Sequence, residues 1–345
     1  MREYREGVIA MKVLFIGGTG LISTAASRLA VQQGIDLYLL NRGNRKSFVP
    51  EGAKVLHGDI NNRQEMKALL ENEYFDVVVN WIIFTPEDIE RDIDYFTGKT
   101  NQYIFISTVA TYQRPPVYYL LDESTPQHNP GWTYATNKIA CEERLIKEYR
   151  EQDFPMTIVR PSHTYGETSI PFAVTSGAHP WTLVDRILKG KKIIVPGDGT
   201  SLWTITHNTD FAKGLVGLLG NTQTLGHAFH VTSDEVKTWN QYLKVLGEAV
   251  GVEPKPIHMT SECISLFMPE FKAQLFGDAS NSYVVNNSKI KSFVPGYIAT
   301  TNFEQGIRQS ISFYQNHPEL QTIDDELNDK MDRAIASYEE FLAGI

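Results

Sequence analysis

Cysteine is scarce in this 345-residue chain, with only Cys141 and Cys263. Two thiols cannot build a disulfide framework, and they point to a reducing, cytoplasmic compartment. Neither has the His, Cys or carboxylate neighbours of a metal site, so no metal is expected. No apolar run approaches the ~18 residues of a membrane-spanning helix. Positive charge is short as well: 32 Lys and Arg against 41 Asp and Glu leave a formal charge of −9. A general nucleic-acid or membrane-surface binder needs a basic face, so neither partner is expected. What remains is an ordinary globular composition, 42% hydrophobic and 21% charged, in a length that allows one large or two modest domains. The opening MREYREG is too charged for a secretory signal. Met11 directly precedes the first strand-like run, so residues 1–10 read as an extension outside the fold.

Through the first half, short β-branched runs alternate with amphipathic stretches. KVLFI (12–16), DLYLL (36–40), AKVLHG (53–58), FDVVVNWIIF (75–84), QYIFIS (102–107) and MTIVR (156–160) read as strands. Leu21, Ile22, Ala25, Ala26, Leu29 and Ala30 share one helical face, and Gly34 stops that helix. Helices are also expected over 63–70, over 86–97 with Pro86 in the first turn, and around Tyr134. Such alternation predicts a parallel sheet covered on both faces. Beyond about residue 165 the elements shorten. That places a dinucleotide-type domain at 11–165 and a smaller substrate lobe at 166–345, with segments returning to the first domain and a cleft between.

GGTG (17–20) lies straight after the first strand and opens the first helix. Glycine there permits a tight turn and lets backbone approach a pyrophosphate, which the helix N-terminus attracts. Gly17, Gly18, Thr19, Gly20, Leu21 and Ile22 are therefore expected cofactor contacts. The residue after the second strand discriminates cofactors, since a carboxylate there would bind the adenosine ribose and repel a 2′-phosphate. Here the stretch is Asn41-Arg42-Gly43-Asn44-Arg45-Lys46, with three cations and no acid. Arg42 and Arg45 could pair with a 2′-phosphate, which leans toward NADP, but Asn41 would serve a ribose equally well. Asp59 and Ile60, after the third strand, are expected at the adenine.

Tyr134 and Lys138 are one helical turn apart, so both share a face. The spacing decides little alone; its order among other motifs decides more. Together with the glycine turn, HGDI (57–60), FISTVATY (105–112), RPSHTYG (160–166) and PGDGT (196–200) followed by THNTDFA (206–212), the chain resembles the extended short-chain dehydrogenase/reductases, the NAD-dependent epimerase/dehydratase group, over about residues 11–315. The resemblance implies a Rossmann-type doubly wound sheet, an NAD(P) cofactor and a small-molecule substrate. Thr108 matches the catalytic Ser/Thr, with Ser107 as fallback and cofactor contact; Tyr134 matches the acid–base and Lys138 the ribose-binding lysine. Pro161 matches another cofactor-contacting position. Relatives often pair as dimers through a four-helix bundle, to which the helix at 132–150 would contribute.

Departures from the pattern narrow the reaction. Sugar 4,6-dehydratases carry an Asp-Glu pair after the threonine; here Val109 and Ala110 stand there and cannot transfer protons. An arginine that binds a substrate diphosphate is matched by Trp203, which could stack on a ring or fill the lobe interface. An asparagine is matched by His163. Val109, His163, Tyr165, Trp181 and Trp203 are the candidate substrate residues. His207 and Asp210 read as structural groups at a helix start, and Lys189, Lys191 and Lys192 as a solvated helix end. The implied activity is epimerisation or carbonyl reduction on a sugar nucleotide. The alternatives are a reductase of a smaller uncharged carbonyl compound and a non-catalytic NADP-sensing or RNA-associated relative.

Overall fold

The computed structural model describes residues 10–344, so the extension expected over 1–10 lies, apart from Ala10, outside the described residues. The first half runs β1 (Lys12–Ile16), α1 (Ser23–Gln32), β2 (Asp36–Asn41), β3 (Lys54–His57), α2 (Arg63–Leu69), β4 (Phe75–Asn80), α3 (Pro86–Phe96), β5 (Thr100–Ile106), β6 (Leu120–Leu121), α4 (Thr133–Gln152) and β7 (Met156–Pro161). The second half begins β8 (His163–Tyr165), α5 (Trp181–Leu188), β9 (Lys192–Pro196), β10 (Leu202–Trp203), β11 (Ile205–His207), α6 (Asn208–Leu218) and β12 (Ala228–Val231). It continues β13 (Lys237–Thr238), α7 (Trp239–Val250), β14 (Lys255–Met259), α8 (Ser261–Phe267) and α9 (Lys272–Gln274). It ends with β15 (Val284–Val285), α10 (Ser288–Phe293), α11 (Phe303–Asn316) and α12 (Asp325–Ala343).

Seven parallel strands form one sheet in the order β12–β7–β5–β4–β1–β2–β3. Both faces are covered, and side-chain alternation divides β1 between them. Val13 and Phe15 join the core beneath α1 and α6, while Leu14 and Ile16 join the core that holds Ile89, Ile93, Cys141 and Leu145 of α3 and α4. All six strands read from the first half are in the sheet. The seventh, β12, comes from the second half, with α6 and α10 packed beside it. Its four residues, Ala-Phe-His-Val, are too short for a periodicity to show.

The second lobe has its own core, built on Trp181, Trp203, Trp239, Tyr242 and Phe303. Of the lysines expected on a solvated helix end, Lys189 stays exposed, while Lys191 and Lys192 are engaged by α12. Lys189 pairs with Asp185 at 2.8 Å, Lys191 with Asp332 at 2.6 Å, and Lys192 with Glu339. Arg186 beside them is fully buried and holds Asn328 and Asp332. The basic run thus docks α12, an acidic helix whose contribution only tertiary structure reveals.

Candidate active site

β1 leads into a turn through Gly17 (φ +100°) and Gly18 (φ +85°), conformations that strain any side-chain-bearing residue. At Gly18 a Cβ would also lie 2.6 Å from Leu39 Cδ2. α1 then starts at Ser23 rather than Leu21, with Ile22 as cap residue, no capping side chain and no acid in its first turn. An uncapped helix start of this kind leaves partial positive charge for an anion.

The turn opens on a cavity of about 670 Å³ at the C-terminal edge of the sheet. Its wall brings together Gly17, Gly18, Thr19, Gly20, Leu21 and Ile22 with Asn41, Arg42, Arg45, Asp59 and Ile60. Asp59 Oδ1 accepts from Asn61 N at 3.0 Å, and Arg45 donates to Thr19 O at 3.0 Å. Trp81, Ile82 and Phe84 complete the wall, positions that the sequence assigns to a strand. β4 stops at Asn80, because Asn80 Oδ1 accepts from Ile82 N at 2.8 Å and turns the chain. The asparagine ahead of Trp-Ile-Ile-Phe was the available signal.

Two buried donors among the cavity-lining residues, Asn41 Nδ2 and Trp81 Nε1, have no protein partner. An unpaired buried N–H costs about 1–3 kcal/mol, which hydroxyl-rich ribose groups would offset. Uncapped helix start, free donors and unpaired cations fit a nicotinamide dinucleotide.

Next to this cavity, α4 carries Tyr134 and Lys138. Lys138 is 4% exposed, and its ammonium donates to Ile83 O and Ile106 O, each at 2.7 Å. Burial pulls its pKa down to about 8. Its Nζ lies 5.8 Å from the Tyr134 ring centre. Thr108 follows β5 and caps a short helical turn, Val109–Thr111, accepting from Ala110 N at 3.1 Å. Its hydroxyl lies near the Tyr134 phenol. Burial pushes the Tyr134 phenol up, the nearby Thr108 hydroxyl pulls it down, and the Asp278 charge pushes it up again. At neutral pH Tyr134 is therefore a phenol.

Ser107 is committed elsewhere. Its hydroxyl donates to Glu142, which Arg160 and Gln127 also hold. Pro161 ends β7 opposite Val231, buried and off the cavity wall.

The candidate substrate residues separate. Val109 is buried, with its carbonyl accepting from Arg114 at 3.3 Å. The His163 ring lies 5.3 Å from Trp203, and burial alone pushes its pKa down to about 4, so the imidazole is neutral. Trp203 stacks 4.6 Å from Trp239, with its Nε1 unpartnered. Tyr165 and Trp181, like Val109 and Trp203, are buried in the second-lobe core. Tyr165 packs on Phe303 and His207, and Trp181 on Tyr314. Both fill the interior of that lobe. His207 caps α6, and Asp210 accepts from Thr300 N and Thr301 N.

The sequence reading missed three neighbours of the site. Trp132 lies 5.2 Å from the Tyr134 ring, while Arg114 and Asp278 form a buried pair at 3.4 Å. No residue pattern near Asp278 announces its pairing with Arg114, 164 positions away.

A family profile described as "NAD dependent epimerase/dehydratase family" matches residues 13–231. Among curated proteins, the chain is 24% identical over 261 residues to the chloroplast stem-loop binding protein of 41 kDa b of Arabidopsis thaliana, covering 72% of this chain and 65% of that one. It is 28% identical over 209 residues to the UDP-glucose 4-epimerase of Lactobacillus helveticus, covering 55% and 62%. The matched stretches thus span less than two thirds of either relative. Among solved structures, UDP-glucuronic acid 4-epimerase from Bacillus cereus, in complex with UDP-glucuronic acid and NAD, superposes with a TM-score of 0.72 at 17% identity, covering 89% of this chain and all of that one. The profile takes in β1 to β12, hence the whole sheet and the Thr108–Tyr134–Lys138 edge, and the chain belongs to the NAD-dependent epimerase/dehydratase family.

Proposed function

We propose that the protein is an NAD(P)-dependent epimerase or oxidoreductase acting on a hydroxyl-bearing carbon, with a sugar nucleotide as substrate. The observation that carries this reading is the grouping of Thr108, Tyr134 and Lys138 at the sheet edge beside the cavity of the glycine turn. When bound, the nicotinamide supplies a hydride acceptor. Tyr134, ionised beside Lys138 and the positive charge that an oxidised cofactor would bring, takes the proton of the substrate hydroxyl, and the neighbouring Thr108 orients that hydroxyl. Lys138 is charged below about pH 8, and its N–H not given to Ile83 or Ile106 is free for a cofactor hydroxyl. Val109 and Ala110, each 2% exposed, offer no proton for a 4,6-dehydration. Arg42 and Arg45, which make no ion pair among the described residues, favour NADP over NAD.

Trp203 supports a second reading, a reductase of a smaller uncharged carbonyl compound. Trp203 takes the position that the family resemblance gives to a diphosphate-binding arginine, and loss of such a charge-assisted contact weakens binding by roughly 1.5–3 kcal/mol. Incubation with panels of nucleotide sugars and of neutral ketones, read by nicotinamide absorbance, separates the two. Turnover confined to neutral ketones would overturn the first. The stem-loop binding relative raises an RNA-associated role, which the net charge of −9 opposes.

No helix among the described residues is long and apolar enough to cross a membrane, and both cysteines are free; we place the protein in the cytoplasm. A homodimer across α3 and α4 would cover their Glu90–Arg144–Glu148 ion network, so such an interface would be a polar one.

A further inference from the structure

Tyr134, Lys138 and Glu142 recur at four-residue intervals on α4 and so share one face of that helix. That face meets three successive residues where β5 ends. Lys138 donates to Ile106 O at 2.7 Å, Ser107 Oγ donates to Glu142 Oε1 at 2.5 Å, and the Thr108 hydroxyl lies near the Tyr134 phenol. The Ser107 backbone is held as well, its N–H donating to Val159 O at 2.7 Å. The chemistry proposed above uses Tyr134 and Lys138 and gives Glu142 no task.

Glu142 is fully buried, and each of its oxygens accepts two hydrogen bonds. Oε1 accepts from Ser107 and from Arg160 Nε at 2.9 Å; Oε2 accepts from Arg160 Nη2 and from Gln127 Nε2 at 2.8 Å. The same guanidinium reaches the far end of the turn that carries Thr108. Arg160 Nη1 donates to the Tyr112 hydroxyl at 2.7 Å, and that hydroxyl also bonds with His230 Nε2. Inside the turn, Tyr112 N donates to Val109 O at 3.3 Å. The turn is thus anchored at Ser107 and at Tyr112, and both anchors lead to one carboxylate. A buried ion pair adds little net stability, because desolvation offsets most of its attraction. A tie between α4 and β7 alone would not involve Ser107.

We propose that Glu142 is a positioning residue: its carboxylate holds Ser107 directly and Tyr112 through Arg160, and so fixes Thr108 in place against the Tyr134 face of α4. The inference rests on Thr108 and Tyr134 being the groups that act on the substrate hydroxyl. Thr108 Oγ1 accepts from Ala110 N at 3.1 Å, a bond within its own turn, so its place relative to α4 comes from its neighbours. Neither Glu142 nor Ser107 is on the wall of the cofactor cavity. Loosening this grip therefore acts on the chemical step and spares cofactor binding. A shift of about 1 Å at a reacting centre is enough to cost about 100-fold in rate.

The test compares two variants that each take one donor from the same carboxylate. Ser107→Ala removes the anchor beside Thr108; Gln127→Ala removes a donor from the other oxygen. Hydrogen–deuterium exchange of the protein without added cofactor, read over residues 107–112, becomes about 10-fold faster in Ser107→Ala and stays within about 2-fold of wild type in Gln127→Ala. In turnover of nucleotide sugars, Ser107→Ala lowers kcat about 10-fold with KM and cofactor Kd within about 2-fold, while Gln127→Ala keeps kcat within about 2-fold. Glu142→Gln, where it folds, lowers kcat by about 100-fold or more; where it does not, Ser107→Ala decides. A wild-type exchange rate or a wild-type kcat in Ser107→Ala would overturn the proposal. So would an equal fall of kcat in both alanine variants, the mark of a purely structural tie. Full turnover by Tyr134→Phe would instead overturn the acid–base reading, and the exchange comparison would still decide whether Glu142 fixes the turn.

Discussion

The ammonium of Lys138 donates a 2.7 Å hydrogen bond to the carbonyl of Ile106, the last residue of β5. One helix is thereby pinned to the strand that leads into Thr108, and a cation is buried in doing so. Its pKa of about 8 lies below the 10.5 of a lysine in the unfolded chain. Folding therefore works against protonated Lys138 at every pH below 8, and that penalty fades as pH rises from about 8 to 10.5, where only the unfolded chain still holds the proton. Lys138→Met removes the penalty. By urea unfolding, the variant is expected to match or exceed wild-type stability at pH 7, by about 1–3 kcal/mol, with the difference shrinking toward pH 10. Turnover should meanwhile be lost.

His163 gives the opposite face of the same linkage. Buried beside Trp203, it has a pKa of about 4 in the folded protein against 6.5 in the unfolded chain. The unfolded state binds more protons between these values, so stability present above pH 6.5 is lost as pH falls toward 4. The loss from this group is about 3 kcal/mol at most. Replacing it with Gln removes the titration, and the slope of unfolding free energy between pH 4 and 6.5 should flatten.

Arg42 and Arg45 stand at the cavity rim without carboxylate partners among the described residues. If they receive a 2′-phosphate, Arg42→Ala combined with Arg45→Ala lowers NADP affinity by about 10-fold or more and leaves NAD within about 2-fold. Isothermal titration of both cofactors measures this. Equal losses for the two would mean that the arginines serve the shared part of the molecule.

Much of the fold was legible because parallel strands are buried on both faces and read as continuous apolar runs. Val13, Leu14, Phe15 and Ile16 are all fully buried, two toward each core. The glycine turn was legible for the same local reason: Gly17 and Gly18 adopt positive φ. What failed was whatever depends on distant partners. β12 is too short to show a period, and its pairing with β7 is set by docking rather than by its own residues. Lys191 and Lys192 looked solvated because Asp332 and Glu339 approach from some 140 residues away. Core and pocket aromatics look alike in composition; the burial of Tyr165, Trp181 and Trp203 in one second-lobe core shows only in their packing. Asp278 reaches Arg114 by lobe docking, which no local pattern encodes.

The central claim is that Tyr134 is the acid–base group of a hydride-transfer site. The most direct measurement is kcat of Tyr134→Phe on the identified substrate, with cofactor Kd measured alongside. Loss of the phenol hydroxyl should lower kcat by about 10²–10⁴-fold and leave cofactor Kd within about 3-fold. A kcat within 2-fold of wild type would contradict it.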